Sequence, residues 1–239
     1  MFDYLANPSR FMRLSNRLFV PACIITVICL AYGLYLGLFS SPADYQQGET
    51  VRIIYIHVPA AWLALFGYVG LGLCGLFYIV WRHPLADIAA RAIAPVGAVF
   101  AFLTLITGAL WGKPMWGAWW VWDARLTSML ILFFFYLGVI ALANGFDRPE
   151  RGSRPAALLA MVGVINVPIV KFSVDWWNTL HQPASLLRSG GPAIDGSMLT
   201  PLILMLIGAH GYFIIVVILR MRALLAERRL AAIRLRPGA

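Results

Sequence analysis

The stretch LFVPACIITVICLAYGLYLGLF, residues 18–39, contains no charged side chain and is long enough to cross a lipid bilayer as a helix. A transmembrane helix needs about 20 predominantly apolar residues. The stretch is too long for the apolar part of a signal peptide, and it lacks a clear A-x-A-like cleavage site. It therefore predicts a transmembrane helix.

Five further apolar stretches follow along the chain. Apolar residues make up 61% of the 239 residues and charged residues 12%, whereas soluble domains are about 45–50% apolar. The predicted spans are residues 18–39, 57–80, 92–111, 126–143, 155–171 and 198–219. The composition thus predicts an all-α integral membrane protein with six transmembrane helices.

The fifth span is short and has Asn166 and Pro168 near its end. Because proline removes a backbone donor, we expect the last turn of this helix to break and to find local hydrogen bonds. No internal repeat and no long polar linker divides the sequence. The simplest interpretation is one six-helix transmembrane bundle over residues 1–239.

Lysine and arginine residues indicate the orientation. If the N-terminus is cytoplasmic, most of the 19 fall in cytoplasmic segments, namely Arg10, Arg13, Arg17, Arg82, Arg91, Arg148, Arg151, Arg154, Arg220, Arg222, Arg228, Arg229, Arg234 and Arg236. Outer segments hold Arg52, Lys113, Arg125, Lys171 and Arg188. The positive-inside rule therefore predicts that both termini are cytoplasmic. It also accounts for the net charge of +9 without nucleic-acid binding.

The segment WGKPMWGAWWVWDARLTS, residues 111–128, is rich in tryptophan and lies in the predicted outer loop between the third and fourth spans. Trp176 and Trp177 also fall in an outer segment, whereas Trp81 alone marks the inner face. An interfacial aromatic belt is the ordinary explanation, but belts occur at both faces. The asymmetry favours a binding surface on the outer face.

The spacing within this segment predicts a short surface helix. Pro114 suits a first helical turn, and the side chains that follow at i, i+3, i+4 and i+7 are Trp116, Trp119, Trp120 and Asp123. Three indoles on one face would form a flat platform for a large, planar, apolar ligand. Sugars and lipids also bind to such platforms, so the tryptophans alone do not identify the ligand.

Two of the four histidines share the predicted side of the tryptophans. His57 opens the second span, His181 lies between the fifth and sixth spans, and a proline follows each two residues later. A lone histidine at a membrane boundary is commonly a simple hydrogen-bonding residue. Two of them beside an aromatic surface predict a haem site, in which imidazoles bind iron and indoles cover the macrocycle.

The other two histidines have simpler explanations. His83 falls in a cytoplasmic loop, where we expect it to be solvated. His210 lies near the middle of the sixth span beside Gly208, Ala209 and Gly211. Small residues allow close helix contact, so we expect a neutral, hydrogen-bonded packing role for His210.

Arg52 and Arg125 carry forked donors that suit the two propionates of haem, with interfacial anchoring as an equal alternative. Asp123 is expected to cap the fourth helix or to pair with Arg125. The candidate cofactor-binding residues are Trp111, Trp116, Trp119, Trp120, Trp122, Asp123, Arg125 and Arg52, and the candidate metal ligands are His57 and His181.

The sequence contains no recognisable catalytic motif. Cys23, Cys29 and Cys74 all fall in predicted spans, and there is no C-x-x-C-H for covalent haem attachment. Motifs of phosphate-binding loops, serine hydrolases and zinc proteases are also absent. We expect that the protein is not an enzyme and that any ATP is hydrolysed by another subunit.

Three segments together carry a family resemblance. Residues 111–128 resemble the tryptophan-rich WWD domain of the haem-handling proteins of cytochrome c biogenesis. VRIIYIHVPAAW, residues 51–62, and VDWWNTLHQPAS, residues 174–185, resemble the two histidine segments of the CcmC family. The larger relatives CcmF and CcsA have more spans, so the resemblance is to CcmC, and it extends over most of the chain.

The resemblance implies a role for this chain. Proteins of this family hold haem at the periplasmic face of the bacterial inner membrane and present it to the haem chaperone CcmE, beside the ABC-type transporter subunits CcmA and CcmB and the small CcmD. The haem ligands carry over to His57 and His181, and the WWD domain to residues 111–125. The cargo would be haem b, bound non-covalently and transiently.

Two other functions are compatible with the composition. A b-type electron-transfer subunit would need histidines on helices within the membrane, where only His210 clearly lies. A permease for haem or lipid would need polar groups along a path through the bundle, and Asn166, Thr104 and His210 are the few candidates.

Overall fold

The computed structural model describes residues 7–177, 179–181, 191 and 194–234, which are helical apart from short connections. The helices are α1 (Pro8–Tyr35), α2 (Ile54–Trp81), α3 (Pro84–Trp116), α4 (Ala124–Asn144), α5 (Pro149–Gly163), α6 (Asn166–Trp176) and α7 (Gly196–Arg234). A π-helical turn at Leu36–Ser40 and a 3-10 helix at Glu49–Ile53 connect α1 to α2. No β-strand occurs in the described part of the chain.

Within the described residues, six helical segments are long and apolar enough to cross a membrane. They are Pro8–Ser40, Glu49–Trp81, Pro84–Trp116, Ala124–Asn144, Glu150–Trp176 and Gly196–Arg234. The predicted fold class and all six predicted spans are confirmed. The helices extend beyond the apolar stretches because backbone hydrogen bonding continues into polar sequence, most clearly in the arginine-rich end of α7.

The centre of the bundle is formed by α2, α3 and α4 around two buried tyrosines. Tyr136 donates a hydrogen bond to the carbonyl of Ala64 at 2.8 Å, and its ring meets Tyr68 edge-on at a centroid distance of 4.8 Å. A Cβ atom on Gly97 would lie 2.3 Å from Cζ of Tyr136. Only glycine therefore allows α3 and α4 to approach this closely.

The fifth span is interrupted at residues 164–165 and restarts at Asn166. The predicted break is confirmed, but the helix continues beyond Pro168 to Trp176 instead of ending there. Pro168 lies in the first turn of α6, where its missing N–H removes no helical hydrogen bond. The Asn166 side chain donates to the carbonyl of Ser128 in α4 at 2.8 Å, which anchors the restart.

Helix α1 packs mainly against α7 through small residues. A Cβ atom on Gly208 would lie 2.8 Å from Cγ of Leu30, and one on Gly211 would lie 2.1 Å from Oγ1 of Thr26. The expected close helix contact around His210 is thus confirmed. Close backbone approach of this kind is the usual basis of helix association in membranes.

An ion-pair network joins the helices at the end of the bundle where α1 begins and α7 ends. Asp87 pairs with Arg91 at 3.2 Å and also with Arg228. Arg91 donates further hydrogen bonds to the carbonyl of Ala143 at 2.7 Å and to the hydroxyl of Ser153 at 3.1 Å. These contacts tie α3 to α4, α5 and α7.

Candidate functional site

The opposite end of the bundle, where α3 ends and α4 begins, brings together the two histidines that the sequence singles out. This end is called the tryptophan end below and comprises residues 111–124 with His57 and His181. His57 lies in the first turn of α2, and His181 follows α6. His57 lies beside Trp111 and His181 beside Trp116, so both histidines are at this end of the bundle.

The predicted surface helix beginning at Pro114 is wrong. Helix α3 continues to Trp116 and ends at Gly117, whose φ of 74° is left-handed. The Gly117 N–H donates to the carbonyl of Lys113 at 3.1 Å, and the Lys113 ammonium donates to the carbonyl of Gly117 at 3.0 Å. Such a glycine terminates a helix, so residues 118–123 form a non-helical connection and Pro114 lies in the last turn of α3.

Two tryptophans contact the histidines. The rings of Trp111 and His57 meet edge-on with centroids 5.6 Å apart, and those of Trp116 and His181 do so at 4.8 Å. Trp111 is itself fixed, because its indole N–H donates to the side-chain oxygen of Gln47 at 2.8 Å. One indole thus braces each imidazole.

The other tryptophans of the segment face elsewhere. Trp120 and Trp122 meet edge-on at 5.4 Å and line an open apolar groove between α3 and α4. Trp119 is 56% exposed and lies beside the Lys113 ammonium, which is 6.0 Å from its ring centroid. The predicted three-indole platform is therefore not formed: Trp116 faces His181, whereas Trp120 faces the groove.

Hydrogen bonding determines which nitrogen of His57 carries the proton. Its Nδ1 lies 2.9 Å from Oγ1 of Thr107, and that hydroxyl donates its own proton to the carbonyl of Leu103 at 2.7 Å. The Thr107 oxygen must therefore accept from Nδ1–H of His57. In the neutral ring, Nε2 then keeps a free lone pair.

Hydrogen bonding also determines which nitrogen of His181 carries the proton. Its Nδ1 donates to Oδ2 of Asp123 at 2.9 Å, because an ionised carboxylate can only accept. Oδ1 of Asp123 accepts the N–H of Leu126 at 2.8 Å and caps α4. The expected capping role of Asp123 is confirmed, and a second role in orienting His181 is added. In both rings the hydrogen bond to a side-chain oxygen is made by Nδ1, which keeps the lone pair of the neutral ring on Nε2.

Burial keeps the His181 imidazole neutral. Desolvation lowers the pKa of His181 below its ordinary value of 6.5, and the positive charge of Arg125 acts in the same direction. The hydrogen bond and negative charge of Asp123 oppose this shift. Because desolvation is the larger effect, the ring is uncharged at neutral pH and can donate a lone pair to a metal ion.

The two candidate arginines hold the loops of the tryptophan end together. Arg52 pairs with Glu49 and donates to the carbonyls of Gly37 and Leu38 at 3.1 and 2.6 Å. Arg125 donates to Ser173 Oγ and to the Lys171 carbonyl, each at 3.3 Å. Arg125 thus connects α4 to α6, whereas Arg52 is bound to the π-helical turn that follows α1.

The remaining histidines lie away from this site. His210 donates from Nδ1 to the carbonyl of Leu206 at 2.7 Å and accepts the indole N–H of Trp62 at Nε2 at 3.0 Å. The expected neutral packing role is therefore confirmed. His83 differs from expectation, because its Nδ1 is buried and has no hydrogen-bond partner among the described residues.

Comparison with known proteins is decisive at this point. The family model described as "Heme exporter protein C" matches residues 1–236. The chain belongs to the CcmC haem exporter family. Membership confirms the resemblance found in the sequence and supports a role in haem export for cytochrome c maturation, within a membrane complex and not as an enzyme.

Curated relatives agree with this assignment. The chain is 53% identical to Heme exporter protein C of Bradyrhizobium diazoefficiens over 231 residues, covering 97% of this chain and 88% of the relative. It is 44% identical to the Escherichia coli K12 protein of the same name over 227 residues, covering 94% and 91%. Paracoccus denitrificans has a relative of the same name, 41% identical over 229 residues, covering 95% of each chain.

Some residues of the site escaped sequence reasoning. Thr107 is separated from His57 by 50 positions, and no local motif connects them. Gln47, which holds Trp111, falls in a short polar loop with nothing to mark it. The end of α3 did carry a signal, because a lysine in the last turn followed by glycine is a typical helix C-terminus.

Proposed function

We propose that this member of the CcmC family holds haem at the periplasmic face of the inner membrane, with His57 and His181 as axial ligands, and presents it to the chaperone CcmE. One observation carries the proposal. Each Nδ1 donates to an oxygen of another helix or loop, which keeps the lone pair on Nε2 in two imidazoles that lie beside Trp111 and Trp116.

The residues present suit haem as a cargo. Imidazole is a common axial ligand of haem iron, and an outer partner that accepts Nδ1–H raises its basicity. Trp111 and Trp116 add apolar surface beside the two ligands. Arg125 lies within electrostatic range of His57, and we propose it as the partner of one propionate, with Arg52 toward the other.

Axial ligation by two histidines suits holding better than catalysis. Both axial positions of the iron would be filled, so no position would remain for oxygen. The His181 side chain is 19% exposed, and Trp119 and Trp122 at the same end of the bundle are exposed. A site near the surface permits release, which a carrier requires.

The proposed partners rest on the resemblance to the CcmC family. We propose that the chain acts with the ABC-type subunits CcmA and CcmB and with CcmD, and that CcmE receives the haem at the tryptophan end. Trp119 and Trp122 are 56% and 75% exposed and offer a contact surface there. The distribution of arginines predicts that the tryptophan end is periplasmic and that both termini are cytoplasmic.

Purification from cells with and without CcmE tests this function. We expect low-spin ferric haem to accumulate on the protein when the chaperone is absent and to decrease when it is present. Haem that is unaffected by CcmE would contradict hand-over. Rapid reduction of the bound haem by quinol, with no transfer to CcmE, would favour the electron-transfer alternative.

A further inference from the structure

We propose that Thr107 is a positioning residue that determines how His57 presents Nε2 to the haem iron. The proposal rests on the proposed function, because it concerns the environment of one of the two ligands. Thr107 and the adjacent Gly108 lie on α3, the helix that follows the one carrying His57, and neither is itself proposed to contact haem.

The hydroxyl of Thr107 acts as an acceptor with a fixed direction. It donates to the carbonyl of Leu103, one turn earlier in α3, at 2.7 Å, so its lone pair points away from the helix toward His57. An acceptor at this position favours the tautomer of His57 with the proton on Nδ1.

Gly108 supplies the space in which the ring lies. A Cβ atom at this position would be 3.2 Å from Cε1 and 3.8 Å from Nδ1 of His57. The first distance is closer than ordinary carbon contact at about 3.5–4.0 Å, so a side chain here would push the ring away. Hydrogen bonding by Thr107 thus sets the tautomer, while Gly108 sets the ring position.

The two axial ligands consequently differ in donor strength. His181 donates to a carboxylate, whereas His57 donates to a neutral hydroxyl. A charged acceptor draws more proton density from Nδ1–H and makes Nε2 a stronger electron donor than a neutral acceptor does. The structure therefore assigns His57 as the weaker of the two ligands, with Thr107 as the residue that keeps it aligned.

The test compares purified variants of the full-length protein by haem content, by electron paramagnetic resonance of the ferric haem and by its reduction potential. Thr107→Val keeps the shape of the side chain but removes the acceptor, so we expect about tenfold less haem retained and altered low-spin g-values. Thr107→Ser should restore the retained haem and the wild-type g-values. Thr104→Val is the matched control, because the Thr104 hydroxyl only donates to the carbonyl of Phe100 at 2.8 Å.

A steric variant tests whether the position of the His57 ring matters for haem binding. Gly108→Ala should reduce haem retention and change the g-values. Its control is Gly70→Ala, where a Cβ atom would meet only Cδ1 of Ile93 at an ordinary 3.8 Å. Monodisperse elution of each variant in detergent shows that it has folded.

The outcomes separate the inference from the function on which it rests. If Thr107→Val retains haem with unchanged g-values and potential while His57→Ala abolishes the low-spin signal, the role of Thr107 is refuted and the proposed ligand stands. If His57→Ala itself leaves the signal unchanged, the proposed haem ligation is refuted. Loss of haem and of the wild-type g-values in Thr107→Val, with their recovery in Thr107→Ser, supports both the role of Thr107 and the proposed ligation by His57.

Discussion

The carboxylate of Asp123 serves His181 and helix α4 at once. Oδ2 accepts Nδ1–H of His181 at 2.9 Å, and Oδ1 accepts the N–H of Leu126 at 2.8 Å. The start of a membrane-spanning helix and the orientation of a histidine 58 positions later in the chain are therefore set by one side chain. This contact explains why an acidic residue follows the tryptophans at this position.

Substitutions of Asp123 should separate its two roles. Asparagine is as good a helix cap as aspartate, so Asp123→Asn should leave thermal stability close to wild type. It removes the charged acceptor of His181, and we expect about 10- to 100-fold weaker haem retention. Asp123→Ala should show the same loss and also cost about 1 kcal/mol of stability. Equal haem content in wild type and Asp123→Asn would contradict the orienting role.

The pH response of His181 should follow from its burial. The pKa of His181 lies below its ordinary value of 6.5, so just below that pH the folded state binds fewer protons than the unfolded chain. Stability therefore falls as the pH falls through this interval. Diethyl pyrocarbonate modifies only neutral imidazole. The modified fraction of His181, measured by mass spectrometry of haem-free protein over a series of pH values, should have its midpoint at a lower pH than in the denatured chain. Since Asp123 raises the pKa, Asp123→Asn should lower the midpoint further. A midpoint above that of the denatured chain would contradict this account.

The fold could be predicted from the sequence because hydropathy reports directly on burial in lipid. Each apolar stretch, such as residues 18–39, became a spanning helix. The close contact around Gly208 and Gly211 was also predictable, because small residues at a membrane helix interface have one main use. The predicted ends of the helices were less accurate, because a helix can extend from apolar into polar sequence with the same backbone hydrogen bonding.

The site could be predicted only in part. The sequence singles out His57, His181 and the tryptophan segment by residue type and predicted topology, and the structure places them at one end of the bundle. The direction of each indole could not be predicted, because Gly117 ends α3 and the next residues leave helical periodicity. Contacts such as His57 to Thr107 depend on how α2 packs against α3, which spacing along one chain does not encode.

The tryptophans should differ in their effect on haem. Trp116 contacts His181, whereas Trp122 is 75% exposed and lines the groove. An aromatic contact contributes about 0.5–1.5 kcal/mol beyond burial, so Trp116→Ala should reduce haem retention about two- to tenfold. Trp122→Ala should keep wild-type haem content. Equal effects of both substitutions, measured by the pyridine haemochrome assay, would instead support a common platform.

Cysteine labelling should establish the orientation. In a background with Cys23, Cys29 and Cys74 changed to serine, Tyr45→Cys at the tryptophan end should react with a membrane-impermeant maleimide added to intact spheroplasts. Tyr45 is 90% exposed, and its reactivity should not require opening of the membrane. Arg229→Cys, exposed in the terminal part of α7, should react only after the membrane is opened. The reverse labelling pattern would show the opposite orientation in the membrane and would contradict a periplasmic haem site.

The most direct measurement of the central claim is electron paramagnetic resonance of ferric haem bound to His57→Gly and His181→Gly, with His210→Ala as control. Both ring nitrogens of His210 are hydrogen-bonded, so its loss should leave the axial ligands in place. We predict that each glycine variant loses the low-spin signal of two imidazoles, that added imidazole restores it, and that His210→Ala keeps it. An unchanged low-spin signal in both glycine variants would contradict axial ligation by His57 and His181.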